Sequence, residues 1–157
     1  MKTILSFLLL SLILGCASLP KQTATSSADE VIIKDLIQGA FDDLWAGFDS
    51  TKVLTYHTPD FYILENGEVW DNERIKQWMK NMLANSTGTK RINSMEYLDI
   101  KRYGPSIQAS YWNYAKMIKQ DSTISNLRWL ESAVAVPTED GWRLKMMHST
   151  WAPDRKN

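Results

Sequence analysis

Residues 129–151 read WLESAVAVPTEDGWRLKMMHSTW, and this stretch has the pattern of a β-hairpin with an apolar face. Turn-forming residues at 138–141 separate its two strand-like runs. Glu131 lies near one end of the hairpin and His148 near the other. A carboxylate and an imidazole that face one pocket can transfer protons, whereas the same two groups can also hold neighbouring strands together. Both interpretations depend on which residues share a face.

The other segments predict an α+β fold. Ser27 and Glu30 form a capping-box pattern before apolar residues at three- and four-residue spacing, which predicts one long helix. Asn66 and Gly67 predict a two-residue hairpin turn. The last four strand-like runs should pair as antiparallel neighbours, with all helices on one side of the sheet. The predicted elements are helices at 29–48, 50–56 and 72–83 and strands at 61–64, 68–70, 91–103, 106–118, 125–136 and 142–151.

Side chains alternate between the two faces of a strand. In the last run, Arg143 and Lys145 should be solvated, so the opposite set is predicted to face inward: Trp142, Leu144, Met146, His148 and Thr150. In the run before it, one face carries Trp129, Glu131, Ala133 and Ala135. The other face is more apolar and carries Leu130, Ser132, Val134 and Val136. Alternation alone therefore does not decide which face of this strand points inward.

The order of elements, together with the residues E-S-A-V…D-G-W-R-L-x-x-x-H-S-T, resembles the nuclear transport factor 2-like superfamily, and among its members the SnoaL-like bacterial proteins. The resemblance covers residues 29–157. It implies a strongly bent antiparallel sheet that wraps around the long first helix, forming a cone with an internal pocket. Members of this superfamily include isomerases, dehydratases, cyclases, binding proteins and assembly domains, so the fold does not fix the function.

The resemblance also implies which side chains share the pocket. Glu131 and His148 match pocket positions and are the candidate catalytic residues, since opposing influences on a buried carboxyl and an imidazole can bring their pKa values toward neutrality. The candidate ligand-binding residues are Trp45, Trp70, Tyr111, Asn113, Trp129 and Met146. A purely structural role for Glu131 and His148 stays open.

Three functions are compatible with this pocket. The leading interpretation is binding of a small apolar or aromatic molecule. The second is an enzyme of the isomerase or dehydratase kind, in which Glu131 and His148 move protons. The third is a homodimeric assembly module that pairs through the outer sheet face, carrying Trp112, Tyr114, Leu130, Val134 and Val136. Dimerisation can coexist with either of the others.

The N-terminal residues predict a lipid anchor. Residues 4–14 form an apolar run too short to span a bilayer, and it ends in Ile13-Leu14-Gly15-Cys16. This resembles a bacterial lipobox, which implies a signal peptide at 1–15, lipidation of Cys16 and a flexible tether at 16–28. The chain is therefore expected at the bacterial cell envelope. Ala17 follows the cysteine, which implies the outer membrane in a Gram-negative cell.

Charge and motifs exclude several other classes. Removal of residues 1–15 takes away one of 18 basic residues and none of the 18 acidic ones, which leaves a net charge of −1. Nucleic-acid binding usually needs a basic face and is not expected. The sequence has no glycine-rich phosphate loop and no paired cysteines, and its two histidines are too few to predict a metal site. No cofactor is expected.

Overall fold

The computed structural model describes residues 24–153. The predicted signal peptide and lipidated Cys16 lie outside these residues, as does most of the tether. The described elements are helices α1 (Ser27–Ala40), α2 (Val53–Tyr56) and α3 (Asn72–Ala84), a π-helical turn (Phe41–Ala46), a 3₁₀ turn (Ser50–Lys52) and strands β1 (His57–Glu65), β2 (Glu68–Asp71), β3 (Lys90–Tyr103), β4 (Ser106–Lys119), β5 (Ser122–Thr138) and β6 (Gly141–Trp151). The predicted α+β class is confirmed. None of the described helices is long and apolar enough to cross a membrane.

The N-cap of helix α1 lies one residue before the position that the sequence predicts. Ser26, not Ser27, is the N-cap, and its hydroxyl accepts from the backbone N–H of Asp29 at 3.1 Å. The Asp29 carboxylate accepts in return from the backbone N–H of Ser26 at 2.9 Å. The predicted capping box of Ser27 and Glu30 is therefore wrong. Asp29 also pairs with Arg102 of β3, so this register fixes the helix start to the sheet.

The core lies between α1 and the inner face of the sheet. Ile33, Ile37 and Ala40 form the buried stripe of the helix, at helical spacing. They pack with inward side chains of β4, β5 and β6, including Ala109, Ala133, Ala135, Leu144 and Met147. Each fully buried isoleucine or leucine contributes about 1.5–3 kcal/mol of hydrophobic stabilisation.

Within residues 24–153, the six strands form one mixed sheet with the strand order β2-β1-β6-β5-β4-β3. Strands β3 to β6 pair antiparallel in sequence order, as predicted. The β1–β2 hairpin also forms at the predicted turn, where Asn66 and Gly67 both have positive φ, of 47° and 89°. Strand β1 then pairs with β6 in parallel, which places the β1–β2 hairpin beside the C-terminal strand.

A β-bulge in β6 changes which side chains face inward. Ala135 pairs with Leu144 and Val134 pairs with Met146, so Lys145 has no partner residue on β5. The extra residue shifts the alternation by one position. Met147 and Ser149 are therefore buried, whereas His148 is exposed. The predicted inward orientation of Met146, His148 and Thr150 is wrong because that prediction assumed an uninterrupted strand.

Candidate ligand-binding cavity

A cavity of about 350 Å³ opens at the end of the sheet where α1 gives way to the π-helical turn. The β1–β2 hairpin and α3 close its other sides. This volume lies within the usual range for small-molecule sites, about 300–1,000 Å³. The described residues that line it are Phe41, Trp45, Ile63, Glu65, Asn66, Glu68, Trp70, Trp78, Arg91, Trp129, Glu131 and Ser149.

Five aromatic side chains of the described residues line the cavity. Trp45 of the π-helical turn lies 5.1 Å from Trp78 of α3 and 6.0 Å from Phe41, measured between ring centroids. Trp78 lies 6.4 Å from Trp70, which follows the hairpin turn. A π-helical turn inside a longer helix is frequent at functional sites, because it redirects side chains that a regular helix would place elsewhere. Trp45, Trp70 and Trp129, all predicted from the sequence, do line the cavity.

Glu131 is the most deeply buried charged group of the cavity, with 5% of its surface exposed. The Ser149 hydroxyl donates to its carboxylate at 3.2 Å, and Asn113 Nδ2 approaches both carboxylate oxygens at 3.4 Å. Burial raises the pKa of Glu131 to about 7, although its hydrogen bonds and the charge of Arg91 act in the opposite direction. Both protonation states of Glu131 are therefore populated near neutral pH.

Tyr111 and Asn113 lie behind Glu131 on β4 and are not among the residues that line the cavity. Within residues 24–153, neither the Tyr111 hydroxyl nor Asn113 Oδ1 has a partner in hydrogen-bonding geometry. Burial, and secondarily the Glu131 carboxylate, raises the pKa of Tyr111 well above its usual range, so the hydroxyl stays neutral. The structure thus gives these two predicted ligand-binding residues a place next to Glu131.

Arg91 brings a positive charge into the cavity, and it was missed in the sequence. Its Nε donates to Asn93 Oδ1 at 2.8 Å. Its guanidinium carbon lies 4.8 Å from the centroid of the Trp129 ring and 5.8 Å from that of Phe41. Burial lowers the pKa of Arg91, while the charges of Glu131 and Glu65 oppose this effect. Alternation along 91–97 would have placed Arg91 on the same face as the buried Asn93.

The predicted pair of Glu131 and His148 does not form. Glu131 lies opposite Ser149, whereas His148 lies opposite Ser132 on the outer face of the sheet. His148 Nε2 is 3.3 Å from the Thr150 hydroxyl, also on that outer face. Met146 does not line the cavity either. Ser149, Glu65 and Trp78 are further cavity residues that the sequence analysis missed. Ser149 could have been identified only by locating the bulge at Lys145.

No group of three or more His, Cys, Asp or Glu residues within 24–153 is arranged to hold a metal ion. Besides Glu131, the cavity has carboxylates at its rim. Burial raises the pKa of Glu65, which accepts from Asn66 Nδ2 at 2.5 Å. Glu68 accepts from Trp70 Nε1 at 2.8 Å and pairs with Arg74 at 2.5 Å. The described polar side chains that line the cavity are therefore carboxyls, one guanidinium, one amide, one hydroxyl and the indole groups of the tryptophans.

Replacing Glu131 by Gln should stabilise the protein more at pH 8 than at pH 4. Because the folded state raises the pKa of Glu131 from 4.5 to about 7, folded wild-type protein binds the proton more tightly than unfolded protein. Below pH 4.5, Glu131 is protonated in both states and does not destabilise the folded wild-type protein. As the pH rises to about 7, ionisation in the unfolded state lowers the free energy of unfolding, and the loss is on the order of 3 kcal/mol above that pH. Urea unfolding of both proteins at pH 4 and pH 8 measures the difference.

His57 does not interfere with this comparison, since both proteins contain it. Burial lowers the pKa of His57 to about 4, so its own contribution to stability is lost as the pH falls below about 6.5. Glu139→Gln, in the exposed β5–β6 turn, reports the effect of losing one carboxylate elsewhere. Equal stabilisation by Glu131→Gln at both pH values would show that burial does not perturb the Glu131 carboxyl.

Comparison with known proteins gives a result at the level of structure only. No family model matches the sequence, and neither does any curated protein. Among solved structures, Aln2 from a Streptomyces species has a TM-score of 0.70 and 10% identity, over 82% of this chain and 94% of that one. The CaMKII hub homology domain of Chlamydomonas reinhardtii has a TM-score of 0.69 and 16% identity, over 82% of this chain and all (100%) of that domain.

A nuclear transport factor 2-like protein from Cytophaga hutchinsonii has a TM-score of 0.60 and 13% identity, over 82% of this chain and 100% of that protein. At such low identities the similarity establishes the fold and leaves the activity open. The similarity extends over the helices and the bent sheet together, as the sequence analysis expected. The chain thus has the nuclear transport factor 2-like fold.

Proposed function

We propose that this protein binds a small molecule with a flat apolar or aromatic body in the cavity at the end of α1. The observation that carries the proposal is the wall of aromatic rings around a volume of about 350 Å³, with Glu131 and Ser149 at its inner end. Tryptophan offers a large apolar surface, and its ring geometry favours other aromatic rings. The polar groups at the inner end would orient the ligand.

The expected affinity for simple aromatic probes is low. Burial of about 150 Å² of apolar ligand surface contributes about 4 kcal/mol, from which the cost of immobilising the ligand must be subtracted. Simple aromatic probes should therefore bind weakly, with dissociation constants on the order of 10⁻³ M or higher. A natural ligand that also satisfies the polar groups would bind more tightly.

The enzyme interpretation has less support. It relied on proton transfer between Glu131 and His148, and His148 lies on the outer face of the sheet. Glu131 keeps one property of a general acid or base, a pKa of about 7. The Ser149 hydroxyl and the Asn113 amide, which contact its carboxylate, do not titrate in this range. Binding is therefore the function that the geometry favours.

Indole N–H resonances in ¹H–¹⁵N NMR spectra test the binding proposal directly. A neutral probe, 3-phenylpropanamide, should shift the resonances of the cavity tryptophans, Trp45, Trp70, Trp78 and Trp129. Trp112 lies on the outer face of β4 and serves as the internal control. Saturable shifts confined to the cavity set are the expected result, because ring currents act over a few ångströms.

A matched variant completes this test. Trp129→Ala removes one ring of the cavity wall, so the dissociation constant of the probe should rise at least threefold, while Trp112→Ala should leave it unchanged. If neither 3-phenylpropanamide nor related neutral aromatic probes shift any cavity resonance up to the solubility limit, the binding proposal is wrong.

We further propose that the chain is a lipoprotein of the bacterial envelope, attached through Cys16. Support comes from the sequence Ile13-Leu14-Gly15-Cys16 after a short apolar run. In cells that express the full chain, the wild-type protein should sediment with membranes and require detergent for release. Cys16→Ser should lose the lipid and leave the membrane fraction, while Thr23→Ala in the tether should behave as wild type. A Cys16→Ser variant that stays in the membrane fraction would refute the anchor.

We also propose that the outer sheet face forms a homodimer. Leu130 is 41% exposed there, and Tyr62, Leu64 and Tyr114 of the same face are also exposed apolar side chains. Such a patch on one face is typical of an interaction surface. Leu130→Asp should convert the dimer to a monomer in sedimentation-velocity experiments. Leu83→Asp, at a 56% exposed position on α3, is the matched control. An unchanged mass for Leu130→Asp would exclude this interface.

A further inference from the structure

Among residues 24–153, Arg91 is a cation without an ion-pair partner. In the part of the chain that the structure describes, its guanidinium forms no salt bridge, and its one hydrogen bond runs from Nε to Asn93 Oδ1. The carboxylates of Glu131 and Glu65 attract it only from a longer distance. Charged groups in protein interiors are usually paired, because desolvation is costly. Arg91 lines the cavity, so a ligand can supply the missing anion.

The surroundings of Arg91 prepare it for such a contact. The rings of Trp129 and Phe41 lie near the guanidinium, and the bond from Nε to Asn93 fixes its orientation. The terminal nitrogens then remain as donors, in the fork geometry that binds a carboxylate through two parallel hydrogen bonds. Aromatic neighbours that exclude water make this contact stronger than it would be at the surface.

A second buried donor, on a residue that lines the cavity, also lacks an acceptor. Trp45 Nε1 is buried, and no atom of residues 24–153 accepts a hydrogen bond from it. Trp45 and Arg91 both line the cavity, and both lie against the ring of Phe41. Building on the proposed function, we infer that the ligand is an aromatic or apolar carboxylate, whose anionic group is bound by Arg91 and by the indole N–H of Trp45.

The carboxyls of the cavity do not exclude an anion. The charged and titratable groups that act on Glu131 are Arg91 of β3 and Tyr111 of β4. Glu65 of β1 acts on Arg91, the charge of His148 of β6 acts on Glu65, and Glu68 of β2 also lines the cavity. Burial already favours the neutral form of Glu131 and of Glu65. A neutral Glu131 can donate a hydrogen bond to a bound carboxylate. Anion binding should therefore be coupled to proton uptake, and it should weaken as the pH rises from 6 to 8.

A cationic ligand is the competing possibility, since tryptophan faces and carboxylates together can bind ammonium groups. Two of the ring faces are already occupied by cations of the protein. Arg91 lies 4.8 Å from the centroid of Trp129, and Arg74 lies 4.9 Å from that of Trp70. Glu68 is already paired with Arg74. Among the described residues that line the cavity, the groups that still lack partners are the terminal nitrogens of Arg91 and Trp45 Nε1. Both are donors, and donors favour an anion.

Three probes with the same skeleton distinguish these possibilities: 3-phenylpropanoate, 3-phenylpropanamide and 3-phenylpropylamine. Dissociation constants at pH 6.5 come from the indole resonances of the cavity tryptophans. Charge-assisted hydrogen bonds from arginine are strong, so the carboxylate should bind about tenfold more tightly than the amide. The amine should bind most weakly. Between pH 6 and pH 8 the affinity for the carboxylate should fall, while the affinity for the amide should change little.

Variants assign the preference to the two donors. Arg91→Met keeps an unbranched apolar side chain and should abolish the preference for carboxylate over amide, with amide binding retained. Arg91→Lys keeps the charge but loses the fork geometry, so part of the preference should remain. Trp45→Phe keeps a ring and removes the N–H, and should reduce the preference about threefold. Lys116→Met removes a positive charge from the outer face of β4 and should have no effect.

The outcomes separate this inference from the proposed function. If the amide binds as tightly as the carboxylate, or the amine binds most tightly, the anion inference is wrong and the cavity remains a general aromatic site. A carboxylate preference that survives in Arg91→Met would also overturn it. If all three probes leave the cavity resonances unchanged, the proposed function itself fails. The wild-type comparison stands even if a variant does not fold.

Discussion

The contact between α1 and the sheet determines where the interior is filled and where it stays open. Ala109, Ala133 and Ala135 lie in one buried cluster with Ile33 and Ile37 of the helix. Farther along the strands the inward residues are larger or polar, as with Tyr111 and Glu131. There the regular helix ends and the π-helical turn begins. Close packing therefore ends where the cavity starts, and the same strands form both the core and the site.

The polar groups of the cavity depend on one another because water is largely excluded. Burial works against the charge of Glu131 and against that of Arg91, and their mutual attraction offsets part of both penalties. Neither group is bonded directly to the other, so each keeps capacity for a third partner. A direct ion pair would have left neither group with capacity for a further partner. Because the two charges are separated, the cavity contains polar groups that can still form hydrogen bonds.

Sequence patterns were sufficient for the fold and for part of the site. Helical spacing identified α1 and α3, Asn66-Gly67 identified the hairpin, and the aromatic residues Trp45, Trp70 and Trp129 were placed correctly. The capping box was misplaced by one residue because Ser26 and Ser27 are adjacent and the choice depends on Arg102, far away in sequence. Such long-range contacts leave no local pattern.

The polar half of the site was harder to predict for a related reason. A bulge adds one residue to a strand, and nothing in LKMMHS indicates that Lys145 is the extra one. Every side chain after Lys145 was therefore assigned to the wrong face. As a result, His148 was predicted to face the cavity, whereas Ser149 lines it. Arg91 was missed because a cation at the start of a strand usually lies in solvent. Its burial results from Trp129 and Phe41, which belong to other elements.

The parallel pairing of β1 with β6 also has a consequence for how the chain folds. Strands β3 to β6 are joined by short turns, so their pairing can form early. The contact between Ile63 of β1 and Met147 of β6 instead closes a loop that contains most of the domain. Closing so long a loop is entropically costly, and such non-local contacts slow folding. Glu65 and Asn66 reach the cavity through this pairing. We therefore expect the mouth of the cavity to be among the last parts of the protein to assemble, and the first to open when the native state fluctuates.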